Sequence, residues 1–156
     1  MGIEIERKFL VKDISWRMAA DEGVRCRQGY LLASKEKTVR VRILGDRAFL
    51  TVKGATEGIA RSEFEYGIPV SDARELLELC GGVVVEKIRY FIEHGGMVWE
   101  LDVFGGENEG LVMAEIELDA EGQLFEIPPW AGEEVSDDPR CYNAALARCP
   151  FSGWDL

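Results

Sequence analysis

Histidine and paired cysteine are almost missing from this chain, and that shortage narrows its chemistry at once. The single histidine, His94, stands beside Gly95-Gly96 at a turn. The four cysteines (Cys26, Cys80, Cys141, Cys149) form no CxxC pair. Zinc sites and histidine-based acid–base catalysis are therefore poor readings, and the thiols read as buried or unreactive. Long apolar runs are missing too. The first is broken by charge within five residues, so no secretory signal is legible, and no window approaches the ~20 residues of a membrane-spanning helix. There is no linker, repeat or low-complexity tract. Positive charge is scarce: 18 Lys and Arg against 29 Asp and Glu leave a net −11, a surface that on average repels nucleic acid and acidic membranes. A cytoplasmic protein with neither as partner is expected.

What is present is a foldable core. The 156 residues, 47% of them hydrophobic and four of them tryptophan, predict one domain over 1–156. Strands are expected over 3–11, 25–32, 38–44, 47–53, 61–69, 83–94, 97–104 and 112–119. Gly45-Asp46 and Gly95-Gly96 suit two-residue hairpin turns between antiparallel neighbours. Asp72 with Glu75 resembles a capping box opening a helix over 72–80, with Gly81 as its stop. Asp138-Pro139 predicts a second helix that ends before Pro150, and a short helix is expected near 15–20. Eight strands and few helices give an α+β, mainly β, fold: an eight-stranded antiparallel β-barrel closed on itself, with covering helices.

Sorted by parity, the strands repeat one pattern. Successive strand residues face opposite sides, so Glu4, Glu6 and Lys8 share a face. Arg40 and Arg42 oppose Val39, Val41 and Ile43, and Lys53 opposes Leu50 and Val52. Glu63 and Glu65 oppose Phe64 and Tyr66, while Lys87 and Arg89 oppose Ile88 and Tyr90. Glu100 and Asp102 oppose Trp99 and Leu101, and Glu115 and Glu117 oppose Ile116 and Leu118. A sandwich with solvated outer faces is the plain alternative. Two features count against it: the charged faces hold little Thr, Ser or Gln, and like charges recur on neighbouring same-face positions, where they repel.

An inverted barrel accounts for both, with apolar residues outward and charge lining a lumen that holds one small ligand. Its six cations and eight carboxylates leave the lumen at −2, a poor host for an anion. Divalent cations would reverse that sign, and carboxylates favour hard ions such as Mg²⁺ or Mn²⁺. The lysines and arginines would grip phosphoryl oxygens.

The ordered series of motifs resembles the CYTH superfamily, the triphosphate tunnel metalloenzymes. The series is Glu4-x-Glu6-x-Lys8, Gln28-Gly29-Tyr30-Leu31, Arg40-Val41-Arg42, Thr51-Val52-Lys53, Glu63-Phe64-Glu65 and Glu86-Lys87-Ile88-Arg89-Tyr90. It continues through Glu100-Leu101-Asp102-Val103, Ala114-Glu115-Ile116-Glu117, Pro128-Pro129-Trp130, Gly132 to Val135 and Asp138 to Asn143. The likeness covers nearly the whole chain, so 1–156 is expected to be a single CYTH domain, most like the short bacterial inorganic triphosphatases.

That resemblance implies a triphosphate tunnel and metal-dependent hydrolysis of tripolyphosphate to pyrophosphate and phosphate. The alternatives it leaves are a nucleoside or thiamine triphosphatase, a class IV-type adenylyl cyclase, and a silent polyphosphate-binding module. It implies metal on Glu4, Glu6, Glu115 and Glu117 with Asp102 nearby, and phosphate on Lys8, Arg40, Arg42, Lys53, Lys87 and Arg89. Water is to be activated either by a second metal on Glu63 or Glu65, or by Lys8 with a pKa lowered by neighbouring cations or Tyr30. Trp130 is expected to anchor a covering loop, Arg7 and Arg47 to stay outside the site, and exposed apolar strand faces admit a homodimer.

Overall fold

The computed structural model describes residues 2–154. Its eight long strands are β1 (Gly2–Val11), β2 (Val24–Ala33), β3 (Lys37–Leu44), β4 (Arg47–Gly54), β5 (Ala60–Ile68), β6 (Gly81–His94), β7 (Met97–Phe104) and β8 (Val112–Glu117). They close in the order β5-β4-β3-β2-β6-β7-β8-β1, with β1 returning to β5. Every pairing is antiparallel, so the expected eight-stranded closed barrel is present. β1 makes both seams, its Gly2–Ile5 stretch against β5 and its Glu6–Leu10 stretch against β8. The two glycine turns join Leu44 to Arg47 and His94 to Met97, with positive φ at Gly45, Gly95 and Gly96.

Three local expectations need correction. A ninth strand, β9 (Ala131–Glu134), extends the sheet on the far half of β1, pairing Phe9 with Glu134. Four residues are too few to show alternation. Helix α1 (Val70–Leu79) begins two residues before the expected start: Pro69 occupies its N-cap position with no side-chain cap, and Asp72 sits in the first turn. There its charge still favours the helix N-terminus. The expected helix from Asp138 is broken. Asp138 accepts the Arg140 N–H at 3.0 Å and caps one 3₁₀ turn, Pro139–Cys141. Tyr142 is then extended (ψ 136°), and α2 (Asn143–Arg148) follows.

The apolar parity faces outward and is covered over much of its area, though Ile3 and Tyr66 stay exposed. Phe9, Trp99, Leu101, Ile116 and Trp130 form the largest cluster, with Trp130 4% exposed on its loop. Val41 and Ala48 pack under Ala73 and Leu77 of α1. Val85, Phe104 and Met113 instead lie on the lumen face, opposite Gln28, Lys87 and Asp102, and pack under Leu146 of α2, which closes that end of the barrel interior. The sequence pattern Leu76, Leu77, Leu79 and Cys80 predicts an apolar stripe of α1 against the barrel's exterior; Leu79 departs from it, 73% exposed at the last residue of the helix. The walls are thus held from outside by two clusters, a third caps one end of the interior, and the rest of the inside is left to charge.

Candidate active site

Register turns the parity pattern into a lumen. Arg40 lies opposite Thr51, Lys53 opposite Glu63, Glu6 opposite Glu117, and Glu100 opposite Glu115. A cavity of about 150 Å³ runs between them. The structure brings to its lining Glu4, Glu6, Lys8, Tyr30, Arg40, Arg42, Lys53, Glu63, Glu65, Arg89, Glu115 and Glu117, together with Glu100. Two residues missed in the sequence also line it, Arg61 and Asn143. Arg61 shares the parity of Glu63 and Glu65, so its signal was available. Asn143 lies on no strand and carried none. Arg7 and Arg47 are outside: Arg7 Nε donates to Glu134 Oε2 at 2.9 Å and Arg47 lies over the Phe49 ring.

Lys87 and Asp102 stand behind that lining. Lys87 Nζ donates to Asp102 Oδ2 at 2.7 Å, while Arg89 Nε donates to Asp102 Oδ1 at 2.8 Å. Both Asp102 oxygens are thereby spent on cations, which sets Asp102 apart from the carboxylates it was grouped with as a metal ligand. Parity put it on the correct face but said nothing of depth along the tunnel. Burial lowers Lys87 to about 8 despite that partner.

Four of the remaining carboxylates meet in hydrogen-bonded pairs, Glu6 with Glu115 and Glu63 with Glu4. Burial, then the neighbouring Glu115 and Glu4 charges, push Glu6 up to about 8, and Glu6 is hydrogen-bonded to Glu115. Burial and a hydrogen bond with Glu4 likewise push Glu63 up to about 7. Burial would raise Glu4 also, but Lys53, whose Nζ donates to its Oε1 at 2.9 Å, brings it to about 2. Glu115 is held well below the usual range against its burial by Lys8 and Arg89. Lys8 moves opposite to the lowered pKa considered from sequence. Burial acts to lower it, yet Glu115, 3.6 Å away, and Glu6 raise it overall. Glu65 Oε2 accepts from Thr51 Oγ1 at 2.9 Å and faces Arg40 at 3.4 Å.

Asn143 organises the cationic wall. Its Oδ1 accepts from Lys87 Nζ and from Gln28 Nε2, each at 3.0 Å, and Gln28 Oε1 accepts from Arg42 Nε at 2.8 Å. Lysine and arginine carry donors only, so both amides have a single allowed orientation. Asn143 Nδ2 consequently points away from these donors, and among the described residues it has no partner. Lys8 Nζ donates to the Cys141 carbonyl at 3.2 Å, which ties the same C-terminal segment to β1. The Arg40 Nε is buried without a hydrogen-bond partner, a donor that an anionic oxygen in the lumen would satisfy.

The donor chemistry fits a hard divalent cation. Burial first, and then the crowding of neighbouring carboxylates, raise Glu6 and Glu63, and a cation among these groups would relieve the second cause. The metal-ligating side chains in the lining are carboxylates, with no histidine or cysteine among the described residues there, the oxygen set preferred by Mg²⁺ or Mn²⁺. Among the described residues no three carboxylate, cysteine or histidine groups already converge at ligand spacing, so a cation would draw them together.

Comparison with known proteins agrees with this architecture. The CYTH domain pattern matches residues 2–142. A protein of Acetivibrio thermocellus named inorganic triphosphatase is 50% identical over 155 residues, covering 99% of both chains. One of Nitrosomonas europaea with the same name is 40% identical over 148 residues, covering 92% of this chain and 96% of its own. A crystal structure of an inorganic triphosphatase superposes with a TM-score of 0.66 at 38% identity, covering 92% of this chain and 93% of that one.

Proposed function

Because the chain belongs to the CYTH domain family, we propose that it hydrolyses inorganic tripolyphosphate to pyrophosphate and phosphate inside the barrel. The observation that carries this reading is the lumen lining: apart from Tyr30 and Asn143 every lining residue is charged. Such a wall recognises a phosphate chain and offers a nucleobase or thiazole ring no apolar seat. Residues 143–154 pack α2 against β6 and β2, which supports treating 1–156 as one such domain.

Water attacks the terminal phosphorus, its oxygen forming the new P–O bond while the bond to the bridging oxygen breaks. Pyrophosphate leaves with that electron pair. Arg40, Arg42, Arg61, Lys53 and Arg89 hold the non-bridging oxygens and the charge that grows on the leaving group. One such contact at ~4 Å and an effective dielectric of ~20 carries a Coulomb energy of about 4 kcal/mol before desolvation. Only the share gained in the transition state accelerates the step. Lys8, held protonated by Glu115 and Glu6, positions phosphate rather than abstracting a proton. Glu63, at about 7, is poised to take the proton released by the attacking water. Glu65 orients Arg40 through Thr51, and Tyr30 lines the same space with its hydroxyl beside Gln28 Nε2.

Glu4, Glu6, Glu115 and Glu117 would hold Mg²⁺ or Mn²⁺. Held there, such an ion would supply Lewis-acid charge neutralisation and a water of lowered pKa. The net charge of −11 supports a small anionic substrate over nucleic acid or an acidic membrane. Among the described residues no helix is long and apolar enough to cross a membrane, and four unpaired thiols support a cytoplasmic setting. Ile3, Phe64 and Tyr66, exposed on the outer faces of β1 and β5, support a homodimer.

The test is product analysis. Tripolyphosphate, thiamine triphosphate and ATP are supplied with EDTA, Mg²⁺ or Mn²⁺, and phosphate, pyrophosphate and cyclic AMP are quantified. Tripolyphosphate with metal is expected to give the highest kcat/KM, with one phosphate per pyrophosphate. Cyclic AMP with pyrophosphate as the main products from ATP would overturn the hydrolase reading, and full turnover in EDTA would overturn the metal.

A further inference from the structure

The tunnel has two mouths of opposite charge. At one rim Glu65 and Glu117 are exposed beside Glu100. At the other, the lumen passes Arg40, Lys53 and Arg61 into a vestibule of about 440 Å³, bounded by the β2–β3 turn, the β4–β5 loop and α2. Those three cations are joined there by Lys35 and Arg148, and no carboxylate belongs to the lining. Glu36 and Glu57 lie in the bounding loops yet stay out of it. In a chain of net −11, an acid-free surface of this size runs against the overall charge.

The two outer cations differ from the inner three. Arg40, Lys53 and Arg61 face Glu65, Glu63 and Glu4. Lys35 and Arg148 are exposed and have no ion-pair partner among the described residues. Their field is uncompensated at the point where the cavity meets solvent. A cleft lined by one sign of charge focuses its potential outward and raises the association rate of an opposite charge by about 10- to 1,000-fold.

We propose that this vestibule is the loading mouth for linear phosphoanhydride anions, and that the acidic rim turns them away. The proposal rests on triphosphate hydrolysis in the tunnel. It assigns Lys35 and Arg148 a role in capture and none in bond breaking. The negative rim is correspondingly the favoured approach for divalent cations, so anion and metal reach the lumen from opposite ends.

The test uses the full chain with Lys35→Glu and Arg148→Glu combined, beside a control of equal net charge, Lys12→Glu with Arg17→Glu, outside the tunnel. At about 20 mM ionic strength, where the Debye length exceeds ~20 Å, kcat/KM for tripolyphosphate should fall about tenfold in the vestibule variant, with kcat unchanged. The fall should shrink at about 150 mM salt, where charges are screened within ~8 Å. The control should keep wild-type kcat/KM. Equal losses in both variants would mean that only global charge matters, and an unchanged vestibule variant would place the loading mouth elsewhere. Both overturn the proposal, as does a fall in kcat alone. Calorimetric titration of tripolyphosphate in EDTA reads capture without turnover. A wild-type protein that binds with steep salt dependence but does not hydrolyse it would sink the proposed function and leave the mouth standing. A salt dependence equal in wild type and vestibule variant would sink the mouth alone.

Discussion

Lys87 Nζ and Asn143 Oδ1 stand 3.0 Å apart, joining strand β6 of the barrel wall to the first residue of α2. The same oxygen receives Gln28 Nε2, so one neutral side chain from outside the sheet fixes two residues of the wall and, through Gln28, the Arg42 guanidinium. Asn143→Leu is expected to leave buried donors unpaired, at a cost of about 1–3 kcal/mol in urea unfolding, and to lower kcat/KM at least tenfold. Asn143→Asp keeps the acceptor, so it should recover stability better than activity. Wild-type stability in the leucine variant would show that the tie carries no weight.

Without metal, stability should depend on pH in a direction set by Glu6 and Glu63. Their native pKa values, about 8 and about 7, lie above the ordinary 4.5. Between 4.5 and about 8 the native state therefore binds protons that the unfolded chain has released, and stability falls as pH rises. Glu4 and Glu115 are shifted downward and act in the other direction only below 4.5. Above about 8 the sign reverses, because native Lys87 loses its proton there while the unfolded lysine keeps it. Thermal unfolding in EDTA from pH 5 to 8 should show a declining midpoint. Glu6→Gln should flatten the decline and saturating Mg²⁺ should reduce it, whereas a midpoint rising across this window would contradict both assignments.

Charge pairs inside and outside the barrel should differ sharply in worth. Asp102→Asn leaves Lys87 and Arg89 buried without their carboxylate, a change costing about 3–5 kcal/mol, and activity should collapse with it. Arg7→Ala removes a partly exposed pair with Glu134, expected to cost no more than about 1 kcal/mol with kcat intact. Equal losses in the two variants would show that burial does not set the scale here.

The C-terminal segment can be pushed without touching a lumen residue. Gly82 has φ +71°, and a Cβ there would collide with the Ala147 carbonyl oxygen. Gly82→Ala should displace α2 and cost about 1–3 kcal/mol in backbone strain. It should also lower kcat, because Asn143 and the Cys141 carbonyl move with the helix. Faster proteolysis confined to residues 136–154 in the variant, against the wild type, would locate the change. Wild-type kcat would show that the helix does not position the wall.

How much of this was legible in the chain follows from what parity encodes. Alternation assigned Arg40, Arg42, Lys53 and the glutamates to one face, and closure of the barrel made that face a lumen. Arg61 obeys the same rule, yet as the first residue of the expected strand it has only one flank by which alternation can be judged. Asp102 was placed on the correct face but not at the correct depth, since depth depends on the stagger between β6, β7 and β8 rather than on any period of two. Asn143 carried no periodic signal at all. Its position depends on the extended Tyr142 that splits the expected helix, and on a partner, Gln28, 115 residues away. β9 was hidden for a related reason: its pairing with β1 is set by where the chain returns, not by its own four residues.

The alternation of lumen and outer face along each strand has a consequence for mutational tolerance. Binding residues and packing residues occupy adjacent positions on one backbone, so a single inserted or deleted residue exchanges the two sets downstream of it within that strand. In β3 such a shift would turn Val41 and Ile43 into the tunnel and bury Arg40 and Arg42 under α1, destroying scaffold and site together. Length variation is therefore affordable only at the turns, such as Gly45-Asp46, Gly95-Gly96 and the loop between β4 and β5. Lineages carrying this barrel should vary there while keeping every strand length in step, because no intermediate that slips by one residue retains either half of the design.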